Sequence, residues 1–166
     1  MCDSLTSVNI TDLSAWCKIE FDYDVNLLQD GANLYLNNEL VTDLVIPSDI
    51  TEIKPYAFSY CRSLTSVTIG DSVTTIGYAA FDWCRSLTSV TIPDSVTTIG
   101  DYAFFCCGSL TSVYCKATTP PVLSGTYVFD RNGSVRKIYV PTESVDAYKS
   151  ATNWSEYANY IVGYDF

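Results

Sequence analysis

Ser63-Leu64-Thr65-Ser66-Val67-Thr68-Ile69-Gly70-Asp71-Ser72-Val73-Thr74-Thr75-Ile76-Gly77 returns 23 residues on as Ser86–Gly100, changed only where Pro93 replaces Gly70. The opening phrase Ser-Leu-Thr-Ser-Val comes back once more at Ser109. A short fixed period marks a stack of like coils, each burying its apolar edge only against its neighbours. Such a stack offers an extended surface and seldom gathers distant catalytic groups. The period therefore predicts a repeat solenoid of α/β type that works by binding.

Leu40–Arg62, Ser63–Arg85 and Ser86–Gly108 align without a gap, and a longer fourth unit starts at Ser109. Leu64, Val67 and Ile69, like Leu87, Val90 and Ile92, read Leu-x-x-Val-x-Ile. The Val-x-Ile part has the two-residue period of a strand with one buried face. A polar turn, Gly70-Asp71-Ser72 or Pro93-Asp94-Ser95, leads to a second apolar pair, Val73 and Ile76 or Val96 and Ile99. A compact aromatic segment follows in each unit: Tyr56-Ala57-Phe58, Ala79-Ala80-Phe81 and Tyr102-Ala103-Phe104. The spacing predicts one strand, a return stretch and a short helical turn per coil. Phe58, Phe81 and Phe104 are expected to stack as a column in the core.

A stack needs covers at both ends. Residues 1–39 read as an irregular N-terminal repeat, 40–141 as repeats and 142–166 as a C-terminal helical cap, all in one domain. In the first region Leu5, Val8 and Ile10 suit a strand, and Asp12–Cys17 suits a helical turn carrying Leu13 and Trp16. Leu34-Tyr35-Leu36 and Glu39-Leu40-Val41 flank Asn37-Asn38, and because Asn tolerates positive φ, a two-residue hairpin is expected there. At the other end Pro141 is expected to stop the last strand, with Thr142 as N-cap and Glu143 in the first turn of a helix over Glu143–Ala151. Trp154, Tyr157, Tyr160 and Ile161 supply bulk to shield the final coil.

Composition removes several functions. The net charge is −10, with five Lys and four Arg against nineteen acids, so nucleic acid is not an expected partner. No apolar run approaches the ~20 residues that span a bilayer. There is no His, which removes the usual general base and the commonest metal ligand, so no catalytic residue, metal or cofactor is assigned. Met1 is followed at once by Cys-Asp-Ser-Leu-Thr-Ser-Val, with no signal peptide, and the chain reads as a fragment of a longer protein.

The repeat Ser-Leu-Thr-Ser-Val-Thr-Ile-Pro-Asp-Ser-Val-Thr-Thr-Ile-Gly-Asp-Tyr-Ala-Phe resembles the BspA-type (Treponema-like) leucine-rich repeats of bacterial surface proteins. The likeness covers Leu40–Gly108 closely and Ser109–Pro141 loosely. It implies a right-handed leucine-rich-repeat solenoid with its parallel sheet on the concave face, placement at the cell surface or secretion, and adhesion or protein binding. Asn38 departs from the glycine common at its place in the family. The fourth unit departs at Tyr114-Cys115-Lys116 and Pro120-Pro121.

Cys61, Cys84 and Cys107 fall on the period, and Cys2 matches their place before Ser-Leu. They read as small buried groups bonded to backbone; no Cys-x-x-Cys pair suggests zinc. Cys106 takes the slot of Tyr60 and Trp83. Arg62 and Arg85 share a repeat position and are expected to pair with nearby acids. Three triplets fit glycan-acceptor spacing, at Asn9, Asn132 and Asn153. The strand residues facing away from the core are expected to be Ser66, Thr68, Gly70; Ser89, Thr91, Pro93; Ser112, Tyr114, Lys116; and Lys137, Tyr139, Pro141. Uniform Ser/Thr rows thus give way to Tyr114, Lys116, Lys137 and Tyr139, a candidate partner-binding patch. The expected function is a non-enzymatic module binding a protein or glycan, a host being one source of it; the alternative is a spacer within a larger surface protein.

Overall fold

The computed structural model describes residues 5–22, 26–133 and 136–166. Its strands in chain order are β1 Ser7–Ile10, β2 Asn33–Leu36, β3 Glu39–Leu40, β4 Asp43–Val45, β5 Glu52–Ile53, β6 Ser66–Thr68, β7 Thr75–Ile76, β8 Ser89–Ile92, β9 Thr98–Ile99, β10 Ser112–Cys115, β11 Val122–Leu123, β12 Lys137–Pro141 and β13 Ile161–Tyr164. Two α-helices, α1 Leu13–Cys17 and α2 Val145–Ser150, lie towards opposite ends of the chain.

The Val-x-Ile period becomes a parallel six-stranded sheet in the order β13-β12-β10-β8-β6-β4. Its register places Leu44, Val67, Val90, Val113, Ile138 and Ile161 in one row, and all six are buried. The return stretch is also a strand. β5, β7, β9 and β11 form a second parallel sheet that aligns buried Ile53, Ile76, Ile99 and Leu123. Each central coil therefore carries two strands where the spacing predicted one.

The aromatic segment is not helical. Two residues per coil take left-handed backbone: Tyr56, Ala79 and Tyr102 at its start, then Tyr60, Trp83 and Cys106. Alternate amides bond to the next coil, as in Tyr56 N–H to Tyr78 O at 3.0 Å, Phe58 to Ala80 at 2.9 Å and Phe81 to Ala103 at 2.8 Å, while those between them close turns three residues back, as in Ser59 N–H to Tyr56 O at 3.0 Å. A non-glycine left-handed residue costs roughly 1–2 kcal/mol, and here the bonds on both sides hold it in place. The turn is a product of stacking.

Inside the segment the phenylalanines form the expected column, extended by one. Ring centroids run 5.5 Å from Phe58 to Phe81, 5.3 Å on to Phe104 and 5.6 Å on to Phe129, all within 9° of parallel. Outside, threonines tie coil to coil: Thr65, Thr88 and Thr111 each donate to the carbonyl of the threonine 23 residues earlier, at 3.0, 3.2 and 3.5 Å. Gly77 and Gly100 mark where successive backbones approach most closely. A Cβ on Gly77 would lie 2.6 Å from Ile53 O, and one on Gly100 2.5 Å from Tyr78 N.

Each end is closed by an indole that also satisfies a coil carbonyl. Asp12 caps α1 by accepting from Ala15 N at 2.9 Å, and Trp16 Nε1 donates to Ala57 O at 2.9 Å. At the far end Trp154 Nε1 donates to Pro121 O at 2.7 Å, and Tyr148 donates to Ala117 O at 2.8 Å. Trp154 and Tyr157 also pack on Phe129, at 5.8 and 5.6 Å. Asn37 and Asn38, both at positive φ, make the expected turn between β2 and antiparallel β3.

One expectation at the C-terminal end fails. Thr142 does not cap a helix; it opens a 3₁₀ turn over Thr142–Ser144, and its hydroxyl donates to Asp165 at 2.8 Å. The ending is also more than helical, because β13 rejoins the main sheet beside β12. Asp165, two residues beyond Gly163, competes for the Thr142 hydroxyl only because that strand returns.

Candidate functional site

The six-stranded sheet presents one face to the core and one outward. Ser66 and Thr68, then Ser89 and Thr91, share the outward positions of the early coils in register. Beyond them stand Ser112 and Tyr114 of β10, paired with Lys137 and Tyr139 of β12. Direct pairing lays the Tyr114 and Tyr139 rings 4.7 Å apart and 10° from parallel, close to the spacing of adjacent strands. Lys137 lies two residues before its tyrosine and Lys116 two after its own, so the lysines sit at opposite ends of the stacked pair. Both are exposed, and among the described residues neither makes an ion pair. The structure thus brings Tyr114, Lys137 and Tyr139 together on one face and leaves Lys116 exposed just beyond the end of β10.

It adds two more. Tyr164 meets Tyr139 edge-on at 5.5 Å and Tyr114 at 5.6 Å, while Phe166 packs on Tyr164 at 5.0 Å. These are the most exposed rings of the group, Tyr164 at 43% and Phe166 at 52%. The sequence carried a signal for them that the cap reading passed over. Ile161 follows Ile138 by the same 23 residues as the central coils, so Val162 and Tyr164 fall on outward positions.

Other expected outward positions do not hold. Pro93 and Pro141 are buried. The chain turns out of the sheet after Ile92, where alternation no longer sets the face, and Pro141 lies in register beneath Tyr164. Arg62 and Arg85 lie over rings and make no ion pair among the described residues: Arg85 is 4.3 Å from the Trp83 centroid and Arg62 5.9 Å from that of Tyr60. Left-handed backbone at Tyr60 and Trp83 turns those rings beneath the guanidinium two residues on.

The cysteines behave as structural groups. Six described thiols are free, while Cys2 lies outside the described residues. Cys84 Sγ donates to Phe58 O and Cys107 Sγ to Phe81 O, both at 3.2 Å. Burial pushes the Cys61 thiol up to about 11 and those of Cys84, Cys107 and Cys115 far above the ordinary thiol range. The glycan-type asparagines are also engaged in the fold. Asn9 bonds Asn38, Asn132 accepts from Cys107 N at 2.9 Å, and Asn153 donates to Leu123 O at 2.8 Å. Ser134, which completes the Asn132 triplet, lies outside the described residues.

With this geometry established, comparison places the chain. The sequence pattern of the BspA type leucine-rich repeat region matches residues 31–157, in six copies. This chain belongs to the BspA-type leucine-rich repeat family. It is also similar to the crystal structure of a leucine-rich repeat protein from Eubacterium ventriosum, at 29% identity and a TM-score of 0.51. That match covers 66% of this chain and 29% of the other, so this BspA-type segment spans under a third of its solved relative. Comparison with curated proteins finds no match. The family fold is one of protein-interaction repeats, and no helix among the described residues is long and apolar enough to cross a membrane.

Proposed function

We propose that this chain is a non-enzymatic binding module of a surface or secreted protein, and that it grips a protein partner through the outward face of its main sheet. The observation that carries this reading is the cluster of Tyr114, Tyr139, Tyr164 and Phe166, set on a sheet whose central strands present only Ser66, Thr68, Ser89 and Thr91 outward. Aromatic side chains give large contact area at little rotamer cost, and they dominate binding energy at the centres of interfaces. Lys116 and Lys137 supply local positive charge on a chain of net charge −10, which favours a partner presenting carboxylates.

A spacer role has one observation behind it: the near identity of Ser63–Gly77 and Ser86–Gly100, since duplicated coils add length without a distinct outward message. The two readings separate in a binding assay on immobilised host matrix proteins. A variant carrying Tyr114→Ala, Tyr139→Ala, Lys116→Glu and Lys137→Glu is expected to lose its partner, at about 2 kcal/mol or more for a central ring. A Ser66→Ala and Thr68→Ala variant should keep it. Unchanged binding by the fourfold variant would discard the patch.

A further inference from the structure

A pocket of about 460 Å³ lies apart from that patch, lined in part by Tyr127, Asp130, Arg136, Glu156, Tyr157 and Tyr160. None of the six residues of the sheet patch contributes to it. Arg136 is 9% exposed, and its guanidinium lies 4.3 Å from the Tyr160 ring centroid and 5.4 Å from that of Tyr157. Its Nε has no partner, and among the described residues no carboxylate lies within ion-pair distance. A buried guanidinium with an unused Nε–H is costly to the free protein and is relieved by an acceptor placed beside it. The wall behind it is rigid, because the Tyr157 hydroxyl donates to Thr126 O and accepts from Phe129 N.

The chemistry of the lining narrows the occupant. One guanidinium shares the lining with Asp130 and Glu156, so a simple anion is repelled by two carboxylates, and a simple cation leaves the Arg136 Nε–H without an acceptor. A neutral ligand that both accepts and donates hydrogen bonds satisfies all three, and hydroxyl groups do so. Tyr127 and Tyr160 add aromatic surface for its C–H groups. Tyr127, 47% exposed, also begins a row of tyrosines leading away from the pocket, with centroids 5.2 Å to Tyr102, 5.5 Å on to Tyr78 and 5.4 Å on to Tyr56. The backbone beside the pocket is already bonded between coils, Phe104 N to Val128 O and Cys106 N to Asp130 O, so it leaves little for a peptide strand to pair with.

We propose that the pocket binds one residue of a neutral saccharide and that the tyrosine row carries the sugars that follow it. Arg136 donates to a sugar oxygen, Asp130 and Glu156 accept from hydroxyls, and each ring of the row lies under the next part of the chain.

Calorimetric titration of the whole chain with cellohexaose, mannohexaose and chitohexaose, with the matching monosaccharides, and with sodium acetate tests this. At least one hexasaccharide should bind at one site per chain. Glu156→Gln and Tyr127→Ala, both at exposed positions that leave the core intact, should each weaken it about tenfold. Tyr78→Ala should weaken the hexasaccharide while leaving the monosaccharide unchanged. Binding should survive Tyr114→Ala with Tyr139→Ala, which separates this site from the sheet patch. Failure of all three hexasaccharides to bind, retention of full affinity by a Glu156→Gln, Tyr127→Ala double variant, or displacement by acetate would each overturn the proposal.

Discussion

The two central coils and the last two are built from the same parts to different ends. In Ser63–Gly108 each coil repeats its neighbour at 23 residues, so like side chains stack on like: Phe on Phe, Thr on Thr, Cys on Cys. From Ser112 to Lys137 the step lengthens to 25 residues, and the outward positions change from Ser and Thr to Lys and Tyr. Repetition serves stability because one solution to packing is reused. The variable coils inherit that scaffold and are free to present other groups.

The largest effect should come from the column itself. Phe81→Ala removes a fully buried ring stacked on both sides and is expected to cost about 3–5 kcal/mol in denaturant unfolding. Trp154→Ala should act differently. Because a stacked repeat unfolds from its ends, hydrogen exchange should rise first across 137–166 while the central coils stay protected. Uniform loss of protection would refute the division between centre and end.

Backbone approach comes next. Gly100→Ala should cost about 1–3 kcal/mol, since its Cβ would meet the preceding coil at 2.5 Å. Gly108→Ala, with nothing within 4 Å, should stay within about 0.5 kcal/mol. Equal effects would mean that coil spacing adjusts freely.

A third test concerns a break in the repeat within the centre. Asp82 stands where the coil before has Ser59, and burial pushes its carboxyl up to about 7. The folded state therefore holds that proton more tightly than the unfolded chain does. Its contribution is complete below the unfolded value near 3.8 and is lost as pH rises through about 7. Melting temperature should fall between pH 4 and pH 8, and Asp82→Asn should flatten that fall.

Smallest for stability is the outward patch. Tyr114→Ala with Tyr139→Ala gives up one half-buried stacked ring pair, about 1 kcal/mol, while the binding assay reads a far larger change. A stability loss as great as that of Phe81→Ala would make the tyrosines structural.

Much of the scaffold was readable from residues alone. Val67-x-Ile69 and its copies named the buried face, the spacing of Phe58, Phe81 and Phe104 named the column, and Asn37-Asn38 named a hairpin. The left-handed turns were not readable, because Tyr56, Ala79 and Tyr102 share no residue type that prefers positive φ. Bonds from the neighbouring coil impose that backbone. The same limit hid the rings beneath Arg62 and Arg85.

Period and polarity were enough to establish the solenoid and the rows that line its core, since both depend on local alternation copied at a fixed distance. Which outward groups meet was left to the fold. Tyr114, Tyr139 and Tyr164 become neighbours only through strand pairing and the return of β13, and Arg136 meets the rings of Tyr157 and Tyr160 only because distant segments close around it. Contacts of that kind arise between segments whose separation in sequence does not encode their distance in space.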